Sequence, residues 1–235
     1  MMQQAVHILN RELKDYFISP IAYIVISVFL VVTGWFFFST FFLFNQADLR
    51  NFFDLLPITF SFIIPAVTMR LLSEEMNVGS YETLLTLPVT FTQIIFGKFL
   101  AAVLFIAAAL VPTISYPIFI SFLGQLDWGP VIGGYIGAVL LGAAYAAMGL
   151  FASAITRNQI IAFIVGLGIC FFLTLIDKML FFFPRTLLGL IGYAGAGSHF
   201  TNIAKGIVDT RDILYFLSVI FIGLYAAHLS MQEKS

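Results

Sequence analysis

Between Arg70 and Lys98 the chain reads RLLSEEMNVGSYETLLTLPVTFTQIIFGK, with a membrane-length apolar run on either side. Three of its 12 acidic residues, Glu74, Glu75 and Glu82, fall here within nine positions. A membrane chain that exposes a short, charged, ordered element between spans presents it to a water-soluble partner. Glu74 and Glu75 extend the preceding helix into water, and Gly79-Ser80 permits a sharp break. Tyr81 to Leu87 then forms a short helix stopped by Pro88, with Tyr81, Leu84 and Leu85 on one side and Glu82 on another. Such a helix, lying parallel to the membrane, suits insertion into a groove on a soluble protein. A solvated loop leaves Leu84, Leu85 and Leu87 outside a span without a reason. The candidate contact residues are therefore Glu74, Glu75, Gly79, Tyr81, Glu82, Leu84, Leu85 and Pro88, within segment 73–90.

Composition places the rest of the chain in lipid. Of 235 residues 61% are hydrophobic and 10% charged, with mean hydropathy +1.04, whereas soluble domains carry about 25% charged residues. In lipid the backbone must be satisfied by helices or a closed barrel. Barrel strands alternate in polarity over about 10 residues, but here the apolar runs are continuous and longer, so the spans are helices. A net charge of −1 carries no message about nucleic acid. The single cysteine, Cys170, offers no disulfide framework. His7, His199 and His228 are too scattered to suggest a metal site, and no cleavable leader is expected, because the first apolar run is too long.

Six spans are expected, forming one domain over residues 1–235. Residues 2–17 read as an interfacial helix, with Val6, Leu9, Leu13, Tyr16 and Phe17 on the apolar face and Arg11, Glu12, Lys14 and Asp15 on the other. The first span fits Pro20 to Phe44. The second covers Leu55 to Met69, with Asp54 and Arg70 at the interfaces and Pro57 and Pro65 bending it. The third covers Thr92 to Phe122, kinked at Pro112 and Pro117, and the fourth runs from Pro130 to Ile155. The fifth covers Ile160 to Ile176 and the last Ile213 to Ser230. Between the last two, 177–212 is glycine-rich and polar at its ends. It reads as a re-entrant or surface-lying hairpin, with a seventh span over 186–204 as the alternative.

Six crossings return the chain to its starting side. With the N-terminus inside, Arg and Lys divide six against five; without the long outer hairpin they divide six against one, which places both termini in the cytoplasm.

Motifs exclude several functions. No phosphate-binding loop is present, since Gly97-Lys98 is followed by Phe99, and H-E-x-x-H and G-x-S-x-G are absent. The middle of every span lacks Asp, Glu, Lys and Arg, which disfavours an intramembrane enzyme or a proton-coupled carrier. Thr33, Ser39, Thr59, Ser61, Thr68, Thr113, Ser115 and Thr174 could line a polar pathway, or could bond their own helix backbone. Gly134, Ala138, Gly142, Ala146, Gly149 and Ser153 form a small-residue row on the fourth span, read as packing inside the subunit. The first span, near Gly34 and Ser39, and the fifth, near Gly166 and Gly168, are the expected contact with a second copy.

M-R-L-L-S-E-E-x-x-x-G-S-Y-E-T-L-L-T-L-P-V, followed by G-K-F-L-A-A, resembles the signature of type-2 ABC transporter permeases. The opening R-E-L-K-D-Y-F-I-S-P-I-A-Y, the T-R-N-Q turn and H-F-x-x-I-x-K-G-I-V-D-x-R-D extend the resemblance over most of the chain. Within the family it is most similar to gliding-motility and copper-enzyme-maturation (Nos-type) permeases. Members often carry basic residues after the paired glutamates and a threonine after the glycine, where this chain has Met76-Asn77 and Ser80.

The resemblance implies six transmembrane helices, an N-terminal interfacial helix, a coupling helix between spans two and three, and a re-entrant hairpin before span six. In that hairpin the candidate residues are His199, Phe200, Gly206, Asp209, Arg211 and Asp212. It also implies a non-catalytic subunit paired with a second copy or a paralogue in the inner membrane. Two separate ATPase subunits, holding ATP and Mg, would drive it, with an extracytoplasmic auxiliary protein as a further partner. The expected function is ATP-driven export; the alternative is a transmitter that uses ATPase strokes to act on an extracytoplasmic partner.

Overall fold

The computed structural model describes residues 2–44, 48–79, 90–179, 192–207 and 209–233. The elements are α1 (Met2–Ile18), α2 (Pro20–Phe44), α3 (Arg50–Thr68), α4 (Arg70–Val78), α5 (Phe91–Leu110), a 3-10 turn (Val111–Ile114), α6 (Ser115–Leu123), α7 (Trp128–Ile155), α8 (Gln159–Leu175), α9 (Ala196–Ala204) and α10 (Thr210–Gln232). Among the described residues there is no strand.

Helix starts follow local chemistry. The side chains of Asp127, Asn158 and Asp209 accept from Gly129 N, Ile160 N and Arg211 N at 3.0, 2.9 and 3.0 Å, capping α7, α8 and α10. Gln93 Oε1 accepts from Thr90 N at 3.0 Å at the start of α5. The third apolar run is interrupted where Pro112 falls, by the 3-10 turn, and resumes as α6 with Pro117 in its first turn, where a missing N–H costs little.

Among the described residues five helical stretches are long and apolar enough to cross a membrane: Pro20–Phe41, Arg50–Val78, Phe91–Leu123, Trp128–Ile155 and Thr210–Gln232. The 17-residue α8 is shorter, about 26 Å at 1.5 Å per residue. The second stretch outruns its expected bounds, because α4 follows α3 after only Met69.

At the centre stands α7, with 72% of its apolar window buried, against 22% for α2 and for α10. The small-residue row explains this. A Cβ at Gly134 would strike the Phe53 ring, one at Gly142 would lie 2.8 Å from Ile106, and one at Gly149 would strike Thr68 Oγ1. The row is spent on α3 and α5 of the same chain. From α10, Gly223 meets Ala147 equally closely. Of the three glycines expected at a contact between copies, Gly34 lies against Tyr116 and Gly166 against Pro65, while Gly168 faces open space.

All eight hydroxyls weighed as a polar pathway donate to a backbone carbonyl three or four residues earlier in the chain. Phe91 and His228 have ring centroids 6.3 Å apart, so the end of α10 sits beside the start of α5, which also receives α1. At Gly195 the backbone is extended (φ −77°, ψ 124°), which breaks the helix ahead of α9, and α9, of nine residues, reaches about 14 Å; residues 186–191 of the alternative seventh span lie outside the described residues.

Candidate functional site

At the α1 end of the bundle, charge is concentrated around Lys98, which the second turn of α5 buries to 1% exposure. Its ammonium donates to Glu12 Oε1 and to Glu75 Oε1, each at 2.8 Å. Arg11 Nη2 donates to the same two oxygens, each at 3.0 Å. Two cations and two carboxylates thus join α1, α4 and α5 in one network. Burial pushes the Glu12 carboxyl up, but Lys98 and Arg11 outweigh it and hold the group below its ordinary range.

Close packing fixes the same corner. A Cβ at Gly97 would lie 2.9 Å from Ile8 and 3.0 Å from the Ala5 carbonyl, so α1 rests directly on α5. The buried stripe of α1 is Ile8, Glu12 and Tyr16. This corrects the expectation that Glu12 faces water and that Val6 and Phe17 face inward: Val6 and Phe17 are 48% and 37% exposed. A carboxylate enters the buried stripe because Lys98 waits there.

The first turn of α4 has no side-chain cap of its own. Instead Ser153 Oγ, near the end of α7, accepts from Leu72 N and Ser73 N at 3.0 Å each and donates to the Met69 carbonyl at 2.8 Å. One hydroxyl satisfies two of the donors a helix start leaves open, and ties the α3–α4 joint to the central helix. Gly79, at φ 77°, ends α4 in the left-handed conformation glycine favours.

Of the residues expected to meet a soluble partner, Glu75 is drawn into the Lys98 network, Glu74 is exposed, and Gly79 closes the helix. Tyr81, Glu82, Leu84, Leu85 and Pro88 lie outside the described residues.

At the opposite end the hairpin residues do come together. His199 Nδ1 lies 2.5 Å from Asp212 Oδ1, and Nε2 lies 3.0 Å from the Tyr193 carbonyl. Both ring nitrogens face oxygens, and because a backbone carbonyl only accepts, Nε2 is the donor to Tyr193. The imidazole stacks on Tyr215 at 4.1 Å, and Tyr215 Oη donates to the Ala194 carbonyl at 2.7 Å. Phe200 is buried against Gly137, and Gly206, at φ 82°, turns the chain over Gly129-Pro130. Asp209 caps α10, and Arg211 is exposed. His199, Asp209, Arg211 and Asp212 border a cleft of about 360 Å³. Asp177 packs on Gly195 and Gly197, an anchor the sequence reading left unassigned. Among the described residues no group of three or more His, Cys, Asp or Glu side chains is placed to hold a metal.

The sequence reading missed Lys98, Glu12, Arg11 and Ser153. One signal was available: Lys98 sits early in an apolar helix, where a charge needs a partner. Nothing local named the partners, Glu75 and Glu12, which are 23 and 86 positions away.

A model described as ABC-2 family transporter protein matches residues 6–220. The chain belongs to the ABC-2 family. This ABC-2 chain is accordingly a multi-pass membrane permease subunit of an ABC transporter, a non-catalytic component that partners a separate ABC ATPase. Comparison with curated proteins gives no match.

Proposed function

We propose that this ABC-2 chain is the permease half of an exporter whose coupling segment, 73–90, receives the stroke of a separate ATPase and passes it into the spans. The observation that carries the reading is the Lys98 network. It joins Glu75, before the segment's turn at Gly79, to the start of α5 beyond it, and includes α1. A push on the segment then moves α1, α4 and α5 as one body, and Ser153 hands the displacement to α7. Nucleotide drives the change only by binding the closed ATPase pair better than the open one.

Six spans, both termini in the cytoplasm and an inner-membrane location complete the proposal. The shared bundle end of α1 and the end of α10 supports the placement of the termini. Two ATPase copies, each with ATP and Mg, and a second permease copy or a paralogue form the working unit. The gliding-motility or Nos-type grouping belongs to the same proposal.

A second reading, in which the strokes act on an extracytoplasmic auxiliary protein without moving cargo, is favoured by the polar cleft beside His199 and Asp212. Reconstitution of the permease–ATPase complex in sealed vesicles separates the two. ATP-dependent loss of lumenal cargo supports export. Hydrolysis stimulated only by the auxiliary protein, with no cargo movement, supports the transmitter.

A further inference from the structure

A second cleft, of about 140 Å³, opens where α1 turns into α2 beside the α3–α4 joint. Its lining sorts by polarity: Ala22, Val25, Val67 and Phe105 are apolar, while Arg70 and Glu74 are charged. Those two sit four positions apart on one helix face, yet no ion pair joins them. Arg preceding Glu is the poorer order for such a pair. Among the described residues neither side chain has a hydrogen-bonded partner. Arg70 is held instead over the Tyr16 ring, its Cζ 5.2 Å from the centroid, and Tyr16 is itself fixed by donation to the Val67 carbonyl at 3.2 Å. The guanidinium is thus positioned over Tyr16 beside the cleft and, among the described residues, has no carboxylate partner.

The bilayer supplies the occupant. We propose that this cleft binds a phospholipid whose head group joins a phosphate to a primary ammonium, with the phosphate on Arg70, the ammonium on Glu74 and acyl carbons over Ala22, Val25 and Phe105. Arg70 offers a planar fork for phosphate oxygens. Glu74 selects the rest of the head group. A purely anionic head would face its carboxylate unpaired, and a choline head has no N–H to donate to it. The inference rests on the membrane placement of the chain and not on its coupling to an ATPase.

Native mass spectrometry of the intact chain, offered equal amounts of phosphatidylethanolamine, phosphatidylglycerol and phosphatidylcholine with matched acyl chains, tests it. Wild type retains phosphatidylethanolamine preferentially. Arg70→Gln loses that retention, and Glu74→Gln binds lipid but loses the preference for the amine. Excess soluble phosphoethanolamine leaves the lipid in place. Equal retention of the three lipids by wild type overturns the proposal without reference to any variant. An unchanged preference in Arg70→Gln overturns the phosphate assignment, and displacement by soluble phosphoethanolamine overturns the choice of a lipid.

Discussion

Lys98 Nζ lies 2.8 Å from Glu75 Oε1, and this bond spans the segment that the sequence marks for a soluble partner. Glu75 precedes the turn at Gly79 and Lys98 follows the restart of helix at Phe91, so both flanks of the segment are fastened to each other and, through Glu12, to α1. A force applied between them cannot be absorbed by α4 alone.

Removing the ammonium should therefore cost more than removing the network. Lys98→Met leaves Glu12 and Glu75 with Arg11 as their shared cation, and is expected to destabilise the chain by about 3 kcal/mol. Adding Glu12→Gln and Glu75→Gln should recover most of that loss, because no buried charge is then stranded. Thermal unfolding in detergent checks the order of the two variants. A triple variant less stable than Lys98→Met would contradict the network as drawn.

Ser153→Ala should open the α3–α4 joint. It removes the acceptor of Leu72 N and Ser73 N while leaving α7 intact, at a cost of about 1–3 kcal/mol. Hydrogen exchange at Leu72 and Ser73 should quicken, and exchange elsewhere on α7 should not.

The helical character, a helix ahead of the first span and the small-residue row were legible in the sequence, because each rests on periodicity or composition. The face that α1 buries was not. Hydrophobic spacing assigned Glu12 to water, whereas its position is decided by Lys98 across the fold. Ser153 was read as one more small residue, since a hydroxyl that caps a distant helix looks in sequence like one that permits close packing. The pairing of His199 with Asp212 was only half visible: the residues were singled out by resemblance, but their contact depends on how α9 folds back onto α10.

Acid should loosen α1. The folded state holds Glu12 below its ordinary carboxyl range, so its contribution is present above the unfolded value and is lost as pH falls through the folded one. Amide exchange over Ile8–Tyr16, corrected for intrinsic rate, should therefore rise as pH falls below about 4. In Glu12→Gln the same profile should be flat.

The contact between copies should use the outer faces of α2 and α8. Val31 and Trp35 are 69% and 74% exposed, and Gly168 faces open space. Cysteines at Val31 and Gly168, in a Cys170→Ala background, should cross-link between copies in the assembled complex, whereas a cysteine at Ala146, buried on α7, should not.

The most direct measurement of the central claim is recovery of an ABC ATPase with this permease from native membranes, comparing wild type with Leu84→Asp and Glu82→Lys. Wild type should bring down an ATPase carrying a phosphate-loop peptide in mass spectrometry, and both variants should insert at normal levels yet lose it. ATPase recovery that is undiminished in both variants would contradict docking through segment 73–90.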